Sequence, residues 1–331
     1  GFEGIKEEFK KEIEGYKSPD YADTLWKANP TKNRDKDQMT CLDGTRVEFS
    51  SDKKRYINAS WVYDTQLVAK KYILTQEPIV PLAKSDDSTL DDFWEMVHAE
   101  DCAYVIKFKQ TPKRKDRGKG IFSETMGDKF RPRHLTKPVD LADFVLKLEE
   151  YPNVEALNVR PSYVRVSPKS GTAQSRDAAV FEEDEEHRTS GGIRCLLYTL
   201  AQIKERQGRP IVVMDDFMGT SRAAIFVAVD VLGNLLWTAQ KDVTLASIVK
   251  WIRRCRNGAI RDAEEYVTII KILIRILHRI NNLKRTEKLT AMNKGIIEEE
   301  NRKREEEAAE RRKQHKMEME KVAREQTAIN K

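Results

Sequence analysis

Cysteine is scarce in this chain: four residues, Cys41, Cys102, Cys195 and Cys255, lie far apart among 331. No two stand at C-x-x-C spacing, so no disulfide framework or zinc knot is indicated, and the four read as reduced, mostly buried thiols of an intracellular protein. A dominant charge is missing too. Sixty basic residues against 54 acidic ones leave a net +6, which does not imply a nucleic-acid partner. Five histidines are scattered along the chain, so neither a metal site nor a cofactor is expected. No internal repeat is visible, and there is no signal peptide or uninterrupted apolar run long enough to span a bilayer. The nearest candidate, "YVTIIKILIRILHRI", is broken by Lys271, Arg275 and His278. Its Ile269, Ile272, Leu273, Ile276, Leu277 and Ile280 share one stripe, which predicts a core-packed amphipathic helix rather than a membrane span.

What is present is charge in quantity. A hydrophobic content of 39% beside a charged content of 34% suggests a globular body with a highly charged appendage. Residues 1–285 mix strands and helices. "GFEGIKEEFKKEIEG" reads as an opening helix and "DDFWEMVHA" as another, while the region 56–76, "AYVIKF", "YVRV" and "AAVFEE" read as strands. Strands early and helices late predict an α+β layout, a central mixed sheet flanked by helices. Residues 286–331 differ. Glu-to-basic pairs at i, i+4 (Glu298/Arg302, Glu299/Lys303, Glu300/Arg304, Glu307/Arg311, Glu320/Arg324) each add about 0.2–0.5 kcal/mol to a solvated helix. Apolar heptads are absent, so a lone charged helix serving as spacer or interaction arm is expected in place of a coiled coil. The chain begins at Gly1 rather than Met, and we expect it to be a piece of something longer.

The most informative stretch is "IVVMDDFMGTSRAAIFVAVD", residues 211–230. It reads as a buried strand, a tight loop and a helix. A loop between a strand end and a helix start collects free backbone N–H groups and so suits an anion. Yet this one carries two acids, Asp215 and Asp216.

The motifs "KNRDKDQ…CLDGTRVEF", "YINASWV", "YILTQEP" and "DDFWEMV", in that order and followed by "RPIVVMDDFMGTSRAAIFVAVDVL", resemble the protein tyrosine phosphatase family over residues 1–285. The resemblance implies a signature loop of His-Cys, five residues, Arg, then Ser or Thr. Counting back six from Arg222 puts Asp216 at the nucleophile position and Asp215 at the preceding histidine. In the remnant loop Asp216, Phe217, Met218, Gly219, Thr220, Ser221, Arg222, only Gly219 and Arg222 match, and Ala223 replaces the following hydroxyl. A thiolate attacks phosphorus because it is a strong nucleophile held ionised by the loop. A carboxylate is weaker and repels the incoming dianion, by about 4 kcal/mol for unit charges about 4 Å apart at an effective dielectric near 20. We therefore expect Asp216 to fill the cradle itself, with Arg222 turned inward to neutralise it. An aspartyl-phosphate route would need a metal and a second acid aimed the same way, but adjacent strand-end residues point to opposite faces.

The other stations that the resemblance implies are altered as well. Glu185, Glu186 and His187 align with the general-acid Trp-Pro-Asp. His187 could donate a proton, but it reads better as an exposed loop residue. Asp35 takes the place of the tyrosine that stacks on substrate, and Arg261 and Glu265 stand where water-positioning glutamines belong; the structural asparagine, Asn58, remains. These losses predict a catalytically inactive, phosphatase-like scaffold that binds a kinase or phosphoprotein. The alternatives are a phosphotyrosine or phosphopeptide reader using Arg222, or a residual enzyme on an unusual phosphate ester. The chain is also similar to nematode phosphatase-like proteins of the egg-to-embryo transition, which would set it in the cytoplasm, at the cell cortex. Lys113, Arg114, Lys115, Arg117 and Lys119 form a basic run that could meet an acidic surface, and "FEEDEEH" an acidic one; ordinary solvated loops are the plainer reading of both.

Overall fold

The computed structural model describes residues 1–331 except 51, 66, 68–69, 80–87, 109–129, 133–134, 151–160, 172, 183–189, 203–207, 216–217, 238–242, 281–291, 307 and 313–331. In chain order come α1 (Phe2–Glu12), α2 (Thr24–Ala28), a 3₁₀ turn (Pro30–Lys32), β1 (Ala59–Val62), β2 (Tyr72–Gln76), α3 (Leu90–Ala99) and β3 (Tyr104–Phe108). β4 (Val139–Asp140), β5 (Phe144–Glu149), β6 (Ser162–Pro168), β7 (Arg176–Glu182), α4 (Ser190–Gln202) and β8 (Ile211–Asp215) follow, then α5 (Arg222–Trp237), α6 (Leu245–Cys255) and α7 (Ala263–Ile280). A further helix, α8, runs over 292–306. By contacts the chain divides into two compact units, Gly1–Ile272 and Leu273–Lys331. The boundary expected near 285 lies outside the described residues.

In the first unit one sheet has the order β1-β2-β8-β3-β7-β6-β5-β4. Its centre is parallel: β8 pairs β2 on one side and β3 on the other, and β3 pairs β7. β1 joins β2, and β6, β5 and β4 extend from β7, all antiparallel. This is the mixed α+β sheet the sequence suggested. Parallel strands with both faces covered read as unbroken apolar runs, and every residue of β2, β3 and β8 is buried. Val212 and Met214 belong to a core cluster with Phe93, Trp94 and Val97 of α3. On the other face Phe108 of β3 meets Phe226 of α5, with ring centroids 5.7 Å apart. β8 alternates between these two faces, and its last residue, Asp215, therefore turns toward the α5 side.

The sequence reading did not include β4 and β5. β5 buries Phe144 and Leu146 and exposes Lys147, an alternation only six residues long. At α6, Thr244 accepts from the backbone N–H of Ser247 at 3.1 Å and Ser247 returns the bond to the N–H of Thr244 at 3.1 Å. This reciprocal cap fixes where the helix begins. Along α7, Ile269, Ile272 and Leu273 are buried, and Ile276 and Leu277 are half-buried, as the stripe required. Among the described residues no helix is long and apolar enough to cross a membrane.

In the second unit α8 occupies part of the segment expected as a charged helix, and its Ile296 is buried. Lys303 pairs with Glu299 at 3.2 Å. Glu298 meets Lys294 at 3.8 Å, Arg302 meets Glu306 at 3.9 Å and Glu300 meets Arg275 at 2.7 Å. Glu307 and Glu320 lie outside the described residues.

Candidate functional site

β8 carries the chain to the C-terminal edge of the sheet between β2 and β3, with Asp215 beside Gln76 and Phe108. Asp215 is 1% exposed. Its Oδ1 accepts the backbone N–H of Gly219 at 2.7 Å; its Oδ2 accepts those of Ser221 at 3.0 Å and Ala223 at 3.4 Å. The loop's donors thus converge on a carboxylate from the chain itself, and charge-assisted bonds of this kind are the strong ones. Gly219 makes the turn possible. Its φ is +65°, and a Cβ there would lie 2.2 Å from the carbonyl oxygen of Thr75, so no side chain fits.

The acid that the described loop donors reach is Asp215, which the count from Arg222 sets one residue before the nucleophile position. Five residues, 217–221, separate Asp216 from Arg222, the family spacing, and Asp215 is the last residue of β8. Asp216 and Phe217 lie outside the described residues, as does the expected Asp216–Arg222 pair. The Arg222 guanidinium sits over the Phe108 ring, 5.3 Å from its centroid, a cation–π geometry.

Four residues beyond α6 hold the loop from outside. Arg256, 0% exposed, donates from Nε and Nη2 to the Met218 carbonyl, the former at 2.9 Å, and reaches Asn58 Oδ1 at 2.8 Å and the Ser60 hydroxyl at 3.1 Å. The N–H of Ile260 donates to the Thr220 carbonyl at 2.8 Å. Ser221 Oγ donates to Glu265 Oε1 at 2.6 Å, and Arg261 binds the same carboxylate through its own N–H at 2.7 Å and through Nε and Nη2 at 2.9 and 2.7 Å. Burial pulls the Arg256 guanidinium below its ordinary value, opposed by Cys41, Tyr56 and Asp215. Burial also works against Arg261, but Glu265 outweighs it and raises that group, with Asp215 adding to the effect. The Asp215 charge therefore lies in the field of two arginines.

The structure thus brings Arg261 and Glu265 to the loop as an ion pair latched on Ser221. Asp35 closes a local turn: its Oδ1 accepts the N–H groups of Asp37 at 2.8 Å and Gln38 at 2.9 Å, a role common for aspartate. Asn58 links inward, donating to Asn33 Oδ1 at 2.9 Å, which also accepts from Tyr56 at 2.7 Å. His187 and the basic run Lys113, Arg114, Lys115, Arg117 and Lys119 lie outside the described residues. Among the described residues no cluster of metal ligands occurs, and Cys41, Cys102 and Cys255 are free and buried.

The sequence reading missed the grip of Arg256 on the loop. It also missed a buried charge cluster at the strand ends, where Glu77 pairs with Lys107 and, at 3.5 Å, with Arg34. Arg34 further donates to the carbonyls of Glu77 and Pro78 at 2.6 and 2.7 Å. The available signal was a charged residue inside each of two apolar strand motifs, "YILTQEP" and "AYVIKF".

Residues 29–275 match the family described as protein-tyrosine phosphatase. The chain is 23% identical over 271 residues to the human tyrosine-protein phosphatase non-receptor type 7, covering 79% of this chain and 68% of that protein. It is 22% identical to the bovine receptor-type tyrosine-protein phosphatase-like N, covering 67% of this chain and 21% of that one. In three dimensions it resembles a Trypanosoma cruzi protein tyrosine phosphatase with a TM-score of 0.67 at 16% identity, covering 88% of this chain and 95% of that one. The strand, glycine-bearing loop and helix described above fall inside the matched segment, and the chain belongs to the protein tyrosine phosphatase family.

Proposed function

We propose that this domain is a catalytically inactive member of its family that works as a protein-binding scaffold or regulator of a kinase or phosphoprotein. One observation carries this reading: the loop N–H groups of Gly219, Ser221 and Ala223 are taken by the Asp215 carboxylate. A buried carboxylate there is a poor nucleophile and repels a phosphate dianion. A fold kept without its chemistry finds its use in binding. Following the similarity to the nematode egg-activation group, the proposed setting is the cytoplasm at the cell cortex.

The test is an assay of the purified chain on p-nitrophenyl phosphate and on a tyrosine-phosphorylated peptide, with peptide binding measured in parallel. No turnover and no phosphate-dependent binding is the expected result. Measurable turnover by the wild-type chain would overturn inactivity. Tight phosphopeptide binding lost in Arg222→Ala would favour a phosphotyrosine reader over a scaffold using other surfaces.

A further inference from the structure

We infer that Asp215 is a built-in surrogate ligand, holding the loop in an anion-occupied shape with no oxyanion bound. This deepens the reading above, since it concerns the regulation of the same loop. Around an internal carboxylate the structure keeps what an anion site needs. Three backbone donors converge on it at 2.7, 3.0 and 3.4 Å. Gly219 is fixed by the approach of Thr75, and the loop's outward carbonyls and hydroxyl are tied to Arg256, Ile260 and Glu265. Backbone donors that converge in this way repel one another unless an acceptor sits among them. Asp215 supplies the negative charge covalently, so it is never diluted and never dissociates, and residues 218–223 keep one shape whatever the phosphate concentration.

The experiment is chemical rescue, read as the Tm of the full chain. For the wild-type chain inorganic phosphate should leave Tm unchanged beyond the effect of sodium chloride at equal ionic strength. Asp215→Ser deletes the carboxylate, and its Tm should fall by several degrees. Phosphate, binding the folded form by mass action, should restore most of that loss in a saturable way that chloride does not reproduce. Asp215→Asn keeps an acceptor oxygen in place, so it should fold with a smaller loss and little rescue. If Asp215→Ser is unstable to the point of not folding, an Asp215→Asn variant as stable as the wild-type chain overturns the inference. A folded Asp215→Ser variant that ignores phosphate, or a wild-type chain stabilised just as much, also overturns it. Wild-type turnover of p-nitrophenyl phosphate refutes the proposed inactivity instead, whatever the rescue shows.

Discussion

The Nε of Arg256 donates to the carbonyl oxygen of Met218 at 2.9 Å across 38 positions of sequence, joining the end of α6 to the outer side of the loop. The same guanidinium reaches Asn58 and Ser60, so one buried side chain ties the "YINAS" segment to the candidate site. Replacing it strands several buried acceptors at once. Arg256→Met should cost about 3 kcal/mol or more, the scale for breaking one member of a buried charged network. Urea unfolding measures this, and amide exchange should speed up across 218–221.

Gly219→Ala tests the turn. The new methyl meets Thr75 at a distance no Cβ tolerates, at a φ of +65°, so a loss of about 2 kcal/mol or more is expected. A wild-type Tm in this variant would mean the loop relaxes freely.

Glu265→Gln keeps the shape of the latch and removes its charge. Arg261 then loses its carboxylate partner, and Ser221 keeps only a neutral acceptor. We expect a loss of about 1–2 kcal/mol by urea unfolding, the range for a charged hydrogen bond made neutral. The double variant with Arg261→Met should be less than additive because the two residues share one contact.

Alkaline pH should weaken the fold. Burial pushes the Cys255 thiol from 9.0 up to about 12, and burial raises Cys102 and Cys41 as well. Between pH 9 and pH 12 the native state retains protons that the unfolded chain has released. Stability is therefore full below pH 9 and falls as pH climbs toward 12. Tyr56 and Tyr72, raised mainly by burial, act in the same direction above pH 10. The urea midpoint should be lower at about pH 10.5 than at about pH 8, and thiol reagents should spare all three cysteines until the chain unfolds.

Neither Asp215→Cys nor Asp216→Cys should hydrolyse p-nitrophenyl phosphate. At 215 the thiol would stand six residues from Arg222 instead of five. At 216 the spacing would be the family's, but Asp215 would still hold the loop N–H groups. Turnover from either variant would show that Asp215 does not close the cradle to phosphate.

Much of the fold was legible because it is written in local patterns. The run Ile211–Met214 and the apolar spacing of α5 announce a strand and a helix without any knowledge of neighbours. β5 was harder because its alternation covers few residues and is edged by "DLAD" and "EEYP". The site was legible as a place and less so in its contents. That an acid stands near the loop donors was legible in the sequence, but that Asp215 turns toward them depends on the register of β8 with β2 and β3. The grip of Arg256 was hidden for a similar reason: nothing near it in sequence names Met218 as its acceptor.

The closeness of Gly219 to Thr75 also bears on descent. The glycine is demanded by a neighbouring strand and not by any reaction, so selection for stability alone suffices to keep it, and its presence is no mark of phosphatase chemistry.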